Sequence, residues 1–165
     1  MRLRTIVTPL IIAVLAISLT GCGAGPNASS RLIKKVTDGQ EADIKKDGNS
    51  ISLRNFVLVS LADGSAVVVG TIINRGANED ALLGVAIPGI QAQITGTSTI
   101  ASNGVITFEG DVANVKAVIP GANLKPGTHV DLSLFFGNAG EITLDVLVQK
   151  PEGIYAGITS QASIL

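Results

Sequence analysis

Short β-branched and alternating apolar runs recur from residue 50 onward, and they restrict this chain to a fold built of strands. Ala66–Asn74 is a nearly continuous run of small and β-branched residues, which is typical of a strand buried on both faces. Apolar and polar residues alternate in His129–Phe136 and Glu141–Gln149, as in half-buried strands. Further short runs occupy residues 51–53 and 56–61, which form one extended pair, and residues 82–87, 90–95, 105–108 and 115–119. About seven or eight such strands predict an all-β sandwich.

Turn-forming dipeptides separate these runs. Asp63-Gly64 is the strongest signal, because a two-residue type I′ turn needs positive φ at both central positions, and it predicts a hairpin with that turn. The other turn signals are Pro88-Gly89, Asn103-Gly104, Pro120-Gly121 and residues 137–140.

The first 22 residues have the layout of a bacterial lipoprotein signal. Arg2 and Arg4 precede an apolar run of about 14 residues, which suits a signal peptide and is shorter than the roughly 20 residues of a membrane-spanning helix. The following Leu-Thr-Gly-Cys resembles a lipobox, which predicts cleavage between Gly21 and Cys22 and lipidation of the Cys22 thiol.

Lipidation implies attachment to the cell membrane on its extracytoplasmic face. The diacylglycerol on Cys22, with palmitate-like chains, is the predicted membrane contact, because two or three acyl chains hold far more firmly than one. Cys22 is the only cysteine, so the predicted domain has no disulfide.

The predicted organisation has four parts. Residues 1–21 are the cleaved signal peptide, and residues 22–49 are the lipidated cysteine with a flexible stalk. Residues 50–150 are the β-sandwich, and residues 151–165 are a C-terminal tail. The stalk is inferred from charges of both signs and weak apolar periodicity between residues 31 and 49, a pattern typical of solvated segments.

Charge and aromatic content exclude several classes of ligand. The net charge is −1, which gives no electrostatic reason to bind nucleic acid. The chain has four Phe, one Tyr and no Trp, so stacking platforms for bases or sugars are not expected. No motif predicts a cofactor or an enzymatic activity.

Residues 67–149 resemble the periplasmic copper chaperones of the PCu(A)C family and small actinobacterial cell-envelope lipoproteins of similar layout. In the first matching segment the shared positions are Asn74, Gly76, Asp80, Leu82 or Leu83, and Val85. In the last hairpin they are Leu124, Lys125, Gly127, Val130, Leu132, Leu134, Ala139 and Gly140. The resemblance implies a cupredoxin-like β-sandwich, an architecture close to the immunoglobulin-like one.

The copper ligands of that family are not retained in this chain. The resemblance implies a site of two His and two Met, whose soft donors suit Cu(I). The family's His-x-Met pair falls at Asn114 and Lys116, and its first His falls near residues 93–95, where no His occurs. The only methionine is Met1 and the only histidine is His129.

Other candidate sites are weak. His129 and Asp131 share a strand face and form at most a two-ligand metal site; adding Ser133 gives a triad only on paper, because one strand cannot supply the relay geometry. Asn74, Asn78, Glu79 and Asp80 offer oxygen ligands for calcium without EF-hand spacing. Glu109 and Asp111 are two carboxylates near one turn. The structural interpretation is favoured for each group.

The sequence therefore predicts a membrane-anchored, non-enzymatic binding or assembly module with an unidentified envelope protein as its partner. The alternative is a metal-handling protein, such as a copper chaperone, with a non-standard site. Such a site would use His129 with oxygen ligands or borrow ligands from a partner. A hydrolase is a third hypothesis, and it needs a pocket with convergent polar groups.

Overall fold

The regular structure of this chain consists of strands and one short turn of 3-10 helix. The computed structural model describes residues 38–161. Its strands are β1 (Gln40–Lys46), β2 (Asn49–Ser60), β3 (Ala66–Asn74), β4 (Asp80–Ile87), β5 (Ile90–Gln91), β6 (Gln93–Gly96), β7 (Thr99–Ile100), β8 (Val105–Thr107), β9 (Val115–Ile119), β10 (His129–Phe136) and β11 (Glu141–Gln149). The 3-10 turn spans Gly153–Tyr155. No helix within residues 38–161 is long and apolar enough to cross a membrane.

The strands form a β-sandwich whose hydrogen-bonded path runs β5-β4-β10-β11-β2-β3-β9-β6. All pairs are antiparallel except β11 with β2, where Val148 lies opposite Leu58. Outside this path, β1 pairs with β2, β7 with β4, and β8 with β3. The all-β, cupredoxin-like architecture predicted from the sequence is confirmed.

The core lies between the strands and is filled by aliphatic side chains around one aromatic pair. Phe56 and Phe108 meet edge to face, with ring centroids 5.9 Å apart and an interplanar angle of 71°. Gly70 allows this pair to form, because a Cβ at that position would lie 2.9 Å from the Phe56 ring. Large buried side chains from β2, β3, β9 and β10 complete the core, among them Leu58, Ile72, Ile119 and Leu132.

The folded region begins earlier than the predicted boundary at residue 50. Gln40–Lys46, assigned from the sequence to the stalk, is strand β1 and pairs antiparallel with β2. Only Ala42 and Ile44 of this strand pack against the core, and its other residues are polar or charged. Two apolar residues that face the core are too few for the apolar–polar alternation of a strand to be recognised in the sequence. Charged residues that face solvent are usual on edge strands. The predicted signal peptide, Cys22 and residues 22–37 lie outside the described residues.

The hairpin at Asp63-Gly64 is present, but its turn is not type I′. Gly64 has φ of 82°, and Asp63 is not among the residues with positive φ. The Leu61 N–H donates to the Ser65 carbonyl at 2.9 Å, and the Gly64 N–H donates to the Leu61 carbonyl at 3.2 Å. The Asp63 side chain accepts bonds from Ser65 instead. This local bond stabilises a turn with a single left-handed glycine.

Two strand boundaries also differ from the prediction. Residues 90–95 are divided at Ala92, whose N–H donates to the Val85 carbonyl at 2.8 Å before the chain crosses to pair with β9. Residues 51–53 and 56–61 belong to one strand, β2, with an irregularity between Arg54 and Val57. The short strand β7 was not predicted, since two residues carry no periodic signal.

Candidate functional site

The fold brings together the positions at which the resemblance to the copper chaperones implies copper ligands. β6 pairs antiparallel with β9, and Thr95 lies directly opposite Lys116. Asn114 immediately precedes β9, and its carbonyl accepts a bond from the Thr97 N–H at 3.4 Å. The three positions therefore lie at one edge of the sheet, although none of them carries a His or Met.

An ion pair occupies this edge. The Lys116 Nζ donates to Glu109 Oε1 at 2.8 Å, and the side chains are only 8% and 18% exposed. A buried ammonium is costly unless a counter-charge and hydrogen bonds compensate for lost hydration. Glu109 provides that compensation from the turn that follows β8. The pairing was missed from the sequence, where its only signal was the presence of opposite charges on either side of a short loop.

Asn114 has a structural role in the loop between β8 and β9. Its Oδ1 accepts from the Thr107 N–H at 2.8 Å, and its Nδ2 donates to the Val105 carbonyl at 2.9 Å. These bonds fasten the chain before β9 to strand β8. The side-chain amide therefore closes the loop that brings Glu109 to Lys116.

Glu109 and Asp111 do not form a carboxylate pair. Glu109 is directed to Lys116, whereas Asp111 is exposed to solvent in the turn. Glu109 instead neutralises a buried lysine.

His129 and Asp131 lie on the same face of β10, as the alternation predicts, and both are exposed. Their cross-strand partners are Leu147 and Asp145. The Ser133 hydroxyl is hydrogen-bonded to the Thr143 hydroxyl at 2.7 Å, so it takes no part in a relay with His129. Within residues 38–161 no three His, Cys, Asp or Glu side chains are grouped so as to hold a metal.

The loop between Asn74 and Asp80, whose side chains offered oxygen ligands for calcium, has a structural role. Asp80 is 3% exposed and accepts bonds from the N–H groups of Ala81, Asn138 and Ala139, each at 2.8 or 2.9 Å. Its carboxylate thereby connects the start of β4 to the β10–β11 turn. A carboxylate that accepts several backbone N–H groups has little capacity left for a cation.

Asn74 closes the other end of this loop. It is 1% exposed, and its Nδ2 donates to the carbonyls of Asn78 at 2.7 Å and Ile100 at 3.0 Å. Its Oδ1 accepts from the Gly76 N–H at 2.9 Å. Asn74 and Asp80 therefore hold the two ends of this loop.

Two concave surfaces involve the C-terminal segment, residues 151–161. A groove of about 410 Å³ is lined by Asp38, Pro126, Gly127, Gln149, Lys150, Glu152, Ile154 and Tyr155. Burial, with a smaller contribution from Asp38, raises the pKa of Tyr155 above its usual value. A smaller cavity of about 110 Å³ lies beside the ion pair, where Gly157 and Thr159 meet Glu109 and Lys116. The segment predicted as a tail thus borders the candidate site.

Comparison with known proteins supports the fold assignment. No family model matches the sequence, and no curated protein matches it. Among solved structures, the apo PCuAC domain from PmoF1 is similar, with a TM-score of 0.56 and 24% identity over 68% of this chain and 100% of that domain. The copper-bound PCuAC domain from PmoF2 gives 0.57 and 19%, over 68% and 99%. The apo PmoF2 domain gives 0.54 and 20%, over 69% and 98%.

These similarities define the class of the domain: it is a cupredoxin-like β-sandwich. More particularly, it has the PCuAC fold, as expected from the resemblance at residues 67–149. The structural similarity covers almost the full length of each PCuAC domain compared. At the edge formed by Thr95, Asn114 and Lys116, the Lys116 ammonium is paired with the Glu109 carboxylate.

Proposed function

We propose that this chain is an extracytoplasmic lipoprotein, anchored by diacylglycerol on Cys22, whose PCuAC-type domain is a non-enzymatic binding or assembly module. In this proposal the domain keeps the scaffold of a copper chaperone and uses it to contact another envelope protein. The single observation that carries the proposal is the Glu109–Lys116 ion pair, at 2.8 Å, in the place where the family resemblance puts a copper ligand.

Electrostatics argue against Cu(I) at this edge. Glu109 already neutralises the Lys116 ammonium, so an incoming cation would be attracted by the carboxylate and repelled by the ammonium, and it would find no net negative charge in this partly desolvated setting. Lysine also lacks the thioether and imidazole donors that suit Cu(I). The one histidine, His129, lies on an exposed strand face with Leu147 opposite it, rather than on β6 or β9.

Anchoring explains how a module of modest affinity would be effective. A protein held in the same membrane as its partner binds under a high effective concentration, so a weak contact suffices. The membrane contact through Cys22 and the envelope partner are therefore parts of one proposal.

The test is an anaerobic titration of the chain from Gly23 to Leu165 with Cu(I) against a competing chelator. Cys22 is omitted because its thiol would itself bind Cu(I). We expect the chelator to retain the copper at all ratios. Stoichiometric uptake that withstands the chelator would refute the proposal, and the same titration of His129→Ala would then show whether the metal-handling alternative uses that histidine.

A further inference from the structure

The cavity beside the ion pair has unused hydrogen-bonding capacity. An ammonium has three donors, and Lys116 directs one of them to Glu109 Oε1. Neither the remaining donors nor Glu109 Oε2 has a hydrogen bond to another residue of the described chain. Glu109 and Lys116 both border the cavity of about 110 Å³, together with Gly110, Ala113, Gly157 and Thr159 among others. The cavity is therefore bordered by donors and by an acceptor at the same time.

We propose that this cavity binds an amide group, supplied by a protein partner as an Asn or Gln side chain or as a peptide bond. The inference rests on the proposed function and specifies the chemistry that the module recognises. The amide carbonyl would accept from Lys116 Nζ, and the amide N–H would donate to Glu109 Oε2.

Charge selects a neutral ligand. The paired Glu109 and Lys116 have no net charge, so a lone carboxylate would gain a bond to Lys116 and be repelled by Glu109. A lone ammonium would meet the opposite conflict. An amide carries an acceptor and a donor side by side without net charge, and it matches both unused groups without this conflict.

Size is consistent with the same ligand. A cavity needs only about 10 to 15 Å³ of this kind to hold a water molecule, so about 110 Å³ is enough for a small polar group. An amide group with its flanking carbons is such a group.

The C-terminal segment provides the outer wall of the cavity. Gly157 and Thr159 line it, and the Ser160 hydroxyl donates to Asp63 Oδ2 at 2.9 Å near the β2–β3 turn. The segment makes no strand pairing, so a partner chain can approach by displacing weak contacts rather than a hydrogen-bonded ladder.

The experiment is an NMR titration of the isotopically labelled chain from Gly23 to Leu165, which contains all the described strands. The probes are acetamide, N-methylacetamide, sodium acetate and methylammonium chloride, at matched ionic strength. The signals to follow are the amides of Gly110 and Gly157 and the Nζ of Lys116. We expect saturable shifts with the amide probes and weaker, non-saturating changes with the ionic probes.

Variants locate the binding. Lys116→Met is expected to weaken acetamide binding about tenfold or more, the loss expected for a hydrogen bond to a charged group. Lys125→Met, which changes an exposed lysine, is the matched control and should bind like the parent. Glu109→Gln, which should bind several-fold more weakly, decides the matter if Lys116→Met does not fold.

Each result of the titration either supports or overturns the inference. Tighter binding of acetamide supports a side-chain amide as the natural group, and tighter binding of N-methylacetamide supports a peptide bond. Stronger saturable binding of acetate or methylammonium, or no saturable shift with either amide, overturns the inference. Neither result changes the copper titration, so failure of this inference is distinct from failure of the proposed function.

Discussion

Lys116 donates to Glu109 across 2.8 Å at the edge where Thr95 faces Lys116 in the β6–β9 ladder. Lys116 thus has two partners, Thr95 opposite it in the sheet and Glu109 in the loop between β8 and β9. The PCuAC-like fold carries a neutral polar pair at this position.

Removing one member of this pair should destabilise the protein more than removing both. Glu109→Ala leaves the Lys116 ammonium buried without a counter-charge, and we expect a loss of about 2 to 3 kcal/mol in unfolding free energy. The double variant Glu109→Ala/Lys116→Met should recover most of that loss. Urea denaturation measures both; equal losses in the single and double variants would contradict the role of the pair.

Asp80 should be a stabilising residue rather than a ligand. Asp80→Asn places an amide where the N–H groups of Asn138 and Ala139 need an acceptor, and we expect a cost of about 2 kcal/mol. Glu79→Gln, at an exposed neighbouring position, should cost little. Thermal or urea unfolding of the two variants provides the comparison. If calcium raised the stability of the parent and not of Asp80→Asn, the structural interpretation would be wrong.

Soft ligands should restore copper affinity to the scaffold. The variant Thr95→His/Asn114→His/Lys116→Met places three ligands of the family type on adjacent positions, and we expect it to take up Cu(I) under conditions in which the parent does not. Because Asn114 closes the loop between β8 and β9, this variant should also be less stable than the parent. A variant that folds and still binds no Cu(I) would show that more than the ligands separates this chain from copper binding.

Gly70 should tolerate no side chain. A Cβ there would lie 2.9 Å from the Phe56 ring, whereas at Gly84 it would lie 3.5 Å from the Gln91 side chain. We expect Gly70→Ala to cost about 1 to 3 kcal/mol through overpacking of the core and Gly84→Ala to be nearly neutral. Matched denaturation curves test this, and similar stabilities of the two variants would refute it.

Membrane attachment should depend on Cys22. We expect the protein expressed in a bacterium to enter the detergent phase and to incorporate labelled palmitate. Its measured mass should equal that of a chain that starts at Cys22 and carries a diacylglycerol group. Cys22→Ala should lose the label and the detergent partitioning. Persistence of both in Cys22→Ala would refute the lipobox assignment.

The long strands could be predicted from the sequence because their side chains alone carry the signal. Ala66–Asn74, Val115–Ile119, His129–Phe136 and Glu141–Gln149 begin and end where the apolar runs do. β1 could not be predicted, since most of its stabilisation comes from the edge of β2, and an edge strand needs few apolar residues of its own. The division at Ala92 likewise depends on which neighbour each half pairs with.

Only part of the candidate site could be predicted from the sequence. The sequence indicated the absence of soft ligands at Asn114 and Lys116, because residue identity decides which metal a position can hold. It could not indicate the pairing of Lys116 with Glu109, which requires the β8–β9 turn to bring the two side chains together. The same holds for Asp80, whose partners are 58 and 59 residues away.

The sequence alone determined the class of fold and the residue types available for chemistry. Periodicity and turn residues act locally, and they remain visible in a single chain. The tertiary structure decided what each polar residue does, because hydrogen bonds and ion pairs between distant segments form only when the strands are in register. Burial then strengthens those contacts. In this protein Lys116 pairs with Glu109, and Asp80 binds the distant β10–β11 turn.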